Sequence, residues 1–103
     1  MRLEHYQVRK LKSELLEIIS NYLDLSEYKV FFYGSRVTGK GSDRSDVDVG
    51  IEGPEPVPGH ILEKIRYEVD ALPTMYTIEI VDFKSISEDF YRVAKQNVEI
   101  LNE

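Results

Sequence analysis

The stretch from Gly34 to Ile51, GSRVTGKGSDRSDVDVGI, narrows what this chain can fold into more than any other. A glycine–serine pair closes an apolar run, a second glycine and a polar loop follow, and two aspartates one residue apart head another apolar run. Asp46-Val47-Asp48-Val49-Gly50-Ile51 alternates polar and apolar, the pattern of a half-buried strand. Side chains at i and i+2 leave a strand on the same face, so Asp46 and Asp48 are expected to point the same way, roughly 6.6 Å apart. Val47, Val49 and Ile51 then point into a core. Two carboxylates on one face raise each other's pKa unless a cation lies between them. Hard oxygen ligands with room for water suit Mg²⁺ or Mn²⁺, and paired metals serve phosphoryl and nucleotidyl transfer.

Upstream, Lys29-Val30-Phe31-Phe32-Tyr33 is β-branched and aromatic, which favours a strand. Gly34 ends it and lets the backbone turn sharply and a ligand approach closely. Ser35 is placed to cap a short helix over residues 36–38, whose start would suit a phosphate. The step from Gly34 to Asp46 is short enough for phosphates held at the first to reach metals held at the second.

These residues carry a family resemblance. Gly34, Ser35, Arg36, Gly39, Ser45, Asp46 and Asp48 resemble, in type and spacing, the signature of the minimal nucleotidyltransferases, a branch of the DNA polymerase beta superfamily. The resemblance extends loosely over most of the chain. It implies a nucleotidyltransferase fold, a metal-dependent transfer of AMP from ATP, and a helical HEPN-domain partner. Proteins similar to these often act as antitoxins that add AMP to a toxin tyrosine. It also implies a third acid inside an apolar strand. Ile78-Glu79-Ile80-Val81 resembles that pattern, with glutamate where the family has aspartate.

Two other patterns overlap the same stretch. Gly34 to Lys40 fits the first seven places of a P-loop, but Gly41 stands where the Mg²⁺-binding hydroxyl belongs, and the following residues are loop chemistry. A calcium loop is broken by Val49-Gly50. An isolated Asp-x-Asp reads better as a hairpin edge with solvated carboxylates, and the glycine–serine turn upstream is what argues against that here.

Composition bounds the rest. A chain of 103 residues suggests one domain, residues 1–103, around a single modest core. Without cysteine there is neither a disulfide framework nor a thiolate metal site. No apolar run is long enough to span a bilayer and no signal-peptide core opens the chain, so a soluble cytoplasmic protein without a membrane partner is expected. A net charge of −6 argues against tight binding to free nucleic acid and leaves room for a nucleotide carried in with Mg²⁺ or for a basic protein partner. Homo- or hetero-oligomerisation stays open.

Apolar spacing predicts helices over 8–23 and 60–72. Between them, Gly53 to Gly59 holds three of the four prolines and must end the second strand by Gly53. A third strand is expected over 76–82, with Glu79 and Asp82 on opposite faces and Asp82 ending it in a turn. A last helix is expected over 88–101, capped by Ser87, with Phe90, Val93, Ala94, Val98 and Leu101 as its apolar stripe. His5 and His60 lie far from the aspartates in sequence and read as ordinary residues. The expected architecture is α/β (α+β), in the order α-β-α-β-α-β-α: a small mixed sheet with its first two strands antiparallel, helices packed on one face, and the site on its rim.

The candidate site is therefore Asp46, Asp48 and Glu79 as catalytic and metal-binding acids, with Gly34, Ser35 and Arg36 on the phosphates. The reading is a nucleotidyltransferase with ATP as substrate, Mg²⁺ (two ions, or Mn²⁺) as cofactor, and a HEPN-type toxin hydroxyl, such as a tyrosine, as acceptor. The alternatives are a non-catalytic module that neutralises a helical partner by docking, which the glutamate at 79 favours, and a P-loop-like phosphotransferase.

Overall fold

The computed structural model describes residues 1–39 and 45–102. Its elements are α1 (Val8–Ser20), β1 (Lys29–Tyr33), α2 (Ser35–Thr38), β2 (Val47–Glu52), α3 (Gly59–Asp70), β3 (Ile78–Asp82), α4 (Glu88–Ala94) and β4 (Glu99–Ile100). The strands form one mixed sheet in the order β3-β2-β1-β4. β1 runs antiparallel to β2 and to β4, and β2 runs parallel to β3. Among the described residues no helix is long and apolar enough to cross a membrane.

Strand alternation sorts the apolar side chains onto two faces. On one face Val30, Phe32, Val47, Val49, Ile51, Ile78 and Ile80 meet Leu11, Leu15 and Ile19 of α1 and Ile65 and Val69 of α3. Burying each of these large side chains stabilises the fold by roughly 1.5–3 kcal/mol. On the other face Phe31, Tyr33 and Phe83 form a smaller aromatic cluster against Tyr91, Ala94, Val98 and Ile100. Gly50 belongs to this face, and a Cβ there would collide with the Phe31 and Phe83 rings. The helices therefore do not all share one face: α1 and α3 take the first, and α4 takes the second.

The tail departs most from the expected helix. It stops at Ala94, and β4 follows, pairing Phe31 with Ile100 and Phe32 with Glu99. A lone helix would have left the outer edge of β1 with unpaired amides and carbonyls. The Val98–Leu101 run instead adds a strand, with Ile100 on the aromatic face and Leu101 on the aliphatic one. Asn102 then locks the end: its Oδ1 accepts from Val30 N (2.9 Å) and its Nδ2 donates to the carbonyls of Leu25 (3.1 Å) and Tyr28 (2.9 Å). Glu99 ties β4 to the start of the chain through Lys12 (2.8 Å) and the Met1 amino group.

Elsewhere the expected elements are close to those observed. β2 ends before the proline loop, and α1 and α3 are each shorter than expected at the C-terminal end. Asp82 is buried and ends β3 in a turn, accepting from Val57 N (2.9 Å), Lys84 N (3.0 Å) and Ser85 Oγ (3.1 Å). At the other edge of the sheet Arg66 donates through Nη2 to the Ile80 carbonyl (2.9 Å), which occupies part of the open side of β3.

Candidate active site

The strand registers place three side chains in a row across the sheet. Tyr33 on β1 pairs with Asp48 on β2, and Asp48 pairs with Glu79 on β3. Register partners project to the same face, so all three stand on the α4 side. At the end of β1 the chain bends at Gly34, with φ +85°, into the single turn of α2. Its carbonyl accepts from Val37 N (3.1 Å) and Thr38 N (3.3 Å). A Cβ at Gly34 would collide with Asp48 Oδ2 and lie 3.2 Å from its Cγ. The bend and the aspartate are thus in direct apposition, and only glycine satisfies both the backbone angle and the contact.

Together these groups line a cleft of about 550 Å³, within the range of small-molecule sites. Tyr33, Asp48 and Glu79 contribute from the sheet, and Gly34, Ser35 and Thr38 from the bend and α2. The remaining surface comes from α4 and the turn after it: Phe90, Val93, Ala94, Gln96 and Asn97. In sequence Phe90, Val93 and Ala94 belong to the apolar stripe of the last helix, and the signal that part of it stays open is that so small a domain cannot bury every large apolar group.

The electrostatics are those of crowded acids. Burial first, then the Glu79 and Asp46 charges, push the Asp48 carboxyl up to about 6. Burial, then Asp48 and Glu79, push the Tyr33 phenol up to about 12, so it stays neutral and able to donate. Asp46 lies one residue ahead of β2, is exposed, and is not among the residues lining the cleft. It still bears on Asp48 through its charge. Among the described residues, no three His, Cys, Asp or Glu side chains are gathered closely enough to form a ready-made metal cage. The donor chemistry nonetheless fits a hard divalent ion. Mg²⁺ is commonly held by one or two carboxylates with the remaining positions taken by water and substrate phosphates, and Asp48 beside Glu79 on an open cleft offers that set.

Two expectations on the phosphate side change. Ser35 is the first residue of α2 and not its cap: Gly34 holds the cap position, and no side chain caps the helix. Ser35 faces the cleft all the same. Arg36 is not among the lining residues. Its Nε donates to the Ser45 carbonyl (2.8 Å) and its guanidinium lies 4.8 Å from the centre of the Tyr76 ring. This braces α2 against the approach to β2.

The P-loop pattern does not gain a P-loop's geometry. α2 ends at Thr38, Gly39 adopts φ +79°, and β2 has begun by Val47, which leaves no space for the long helix a P-loop opens. Lys40, Gly41 and Ser42, on which that pattern also depends, lie outside the described residues.

Comparisons with known proteins agree with this architecture. A model of the nucleotidyltransferase domain matches residues 8–100. The chain is 27% identical over 95 residues to the probable protein adenylyltransferase MntA of Haemophilus influenzae, an alignment that covers 90% of this chain and 83% of that protein. Among solved structures, a toxin–antitoxin crystal structure with AMP-PNP superposes with a TM-score of 0.69 at 14% identity, over 87% of this chain and 71% of that one. A tri-AMPylated HEPN toxin from Shewanella oneidensis in complex with MNT antitoxin superposes with a TM-score of 0.67 at 12% identity, over 90% of this chain and 70% of that one. With the sheet, the glycine bend on Asp48 and a family match over nearly its whole length, the chain belongs to the nucleotidyltransferase domain family.

Proposed function

We propose that this chain is a protein adenylyltransferase that moves AMP from ATP onto a hydroxyl of a HEPN-type toxin, a tyrosine, and so acts as its antitoxin. The observation that carries the reading is the direct apposition of the Gly34 bend and the Asp48 carboxylate in one cleft that Glu79 also lines. The relative named as an adenylyltransferase and the neighbours described as toxin–antitoxin complexes support the choice of acceptor.

In this reading the Gly34–Ser35 bend holds the β- and γ-phosphates, using amide groups at a helix start that have no partner within the helix. Arg36 keeps that bend in place through the Ser45 carbonyl. Asp48 and Glu79, with Asp46 at the strand's entrance, would hold Mg²⁺, which supplies neutralisation of the phosphate charge. The acceptor hydroxyl oxygen attacks the α-phosphorus, the bond from that phosphorus to the bridging oxygen of the β-phosphate breaks, and pyrophosphate leaves. The hydroxyl proton passes to Glu79, the most exposed carboxylate of the row.

Labelled ATP tests this. Label from the α-phosphate should appear on the partner protein, and Asp48→Ala should abolish that transfer while the complex still forms. Transfer of γ-label would mean phosphotransfer instead. The second reading is a docking module without catalysis. It is favoured by glutamate at 79 and by the lack of a gathered triad among the described residues, and it predicts complex formation with no label transferred.

A further inference from the structure

Two unlike surfaces line the cleft. One is polar and acidic, made by the Gly34–Ser35 bend with Asp48 and Glu79. The other comes from α4 and its end. There Phe90 is 46% exposed and Val93 65% exposed, large apolar groups left open on a helix that buries Ala94 and Tyr91 more deeply. The Phe90 ring packs at a steep angle on two others, 6.1 Å from Tyr33 and 6.1 Å from Phe83, inclined 80° and 67° to them. Such aromatic pairs fix the ring, and at 46% exposure it remains open to a further partner. The helix itself is anchored by Glu52, which accepts from Tyr91 Oη (2.6 Å) and Lys95 Nζ (2.7 Å). The open apolar surface is therefore rigidly placed.

A nucleoside triphosphate is one molecule with these two chemistries: a polyanion at one end and a flat aromatic base at the other. Stacking on aromatic side chains is the general means of holding a base. Beside Phe90 and Val93 the cleft also carries two side-chain amides, Gln96 and Asn97. An amide offers a donor and an acceptor together, which matches the N6 donor and N7 acceptor of adenine. Guanine presents two acceptors on the same edge and is best met by Arg or Lys, and neither is among the described residues that line this cleft. An apolar side chain from a protein partner would use the phenyl ring but not the amides.

We propose that Phe90 and Val93 form the base-binding subsite of this cleft and that Gln96 and Asn97 select adenine. The proposal rests on the nucleotidyl-transfer reading for its ligand, and its test is separate from it. Affinities of the whole chain for ATP, GTP and inorganic tripolyphosphate are measured by calorimetry with Mg²⁺ present. Phe90→Leu, which keeps apolar bulk without the ring, should weaken ATP about tenfold and leave tripolyphosphate within about twofold. Replacing the exposed Gln96 and Asn97 by Leu together should bring the ATP-to-GTP preference close to one, and this pair keeps the test available if Phe90→Leu fails to fold. Equal losses for ATP and tripolyphosphate would overturn the subsite. So would no loss of ATP affinity with weakened partner binding, which would mark a protein-docking patch, or no measurable ATP affinity in the unmodified chain. If α-label transfer fails while ATP binding depends on Phe90, the catalytic reading falls and the subsite stands. If transfer proceeds with a KM for ATP that ignores Phe90, the reverse holds.

Discussion

The two faces of the sheet are built on different terms. The face under α1 and α3 is mainly aliphatic and closed: Leu11, Leu15, Ile19, Val49 and Ile65 are 0% exposed. The face under α4 is aromatic, held by the Glu52 contacts to Tyr91 and Lys95, and left partly open as the cleft. The sheet thus separates stability from the candidate site. The separation follows from strand parity, because Val47 and Val49 must go one way for Asp48 to go the other. A one-residue slip of β2 would bury a carboxylate under α1 and remove Asp48 from the cleft, leaving Glu79 there alone.

The sharpest test of that division is Leu15→Ala, on the closed face. It should cost about 3 kcal/mol of stability, read as a lower denaturation midpoint, and leave the activity of the remaining folded protein unchanged. Gly34→Ala works at the junction of the two regions. The left-handed backbone and the collision with Asp48 together should cost about 2 kcal/mol and remove α-label transfer, so both properties fall at once. A smaller effect belongs to pH. Asp48 is raised from 3.8 to about 6 in the folded chain, so the native state holds a proton that the unfolded chain releases. Its contribution is full below about 4 and is lost as pH rises through about 6, so the melting temperature should decline over that window. Asp48→Asn should flatten the decline. The least effect is expected from Val93→Ser on the open face, within about 0.5 kcal/mol by thermal unfolding.

Much of the frame could be read from neighbouring residues alone. Alternation in Lys29–Tyr33 and Val47–Ile51, the glycine at 34 and the prolines after Glu52 set β1, the bend, β2 and its end, because each depends on a few adjacent residues. The apposition expected between the bend and the aspartates also follows from the short connection between them, and the structure realises it at Asp48. Asp46, by contrast, sits just before the strand and outside the cleft lining, since the ladder begins only where Val47 finds the Thr77 carbonyl (2.9 Å).

The amino-acid sequence by itself determined where the chain turns, which side chains share a strand face, and that Asp48 would stand near a glycine bend. Only the tertiary structure decided that the tail becomes β4, that α4 occupies the second face, that Phe90 and Val93 line the cleft, and that Arg36 spends its guanidinium on Ser45 and Tyr76. The physical reason is range. Turns and alternation are settled between residues a few places apart, whereas a strand edge, an open apolar face or a free carbonyl exists only after distant segments have met, and whichever segment satisfies it takes its final shape there.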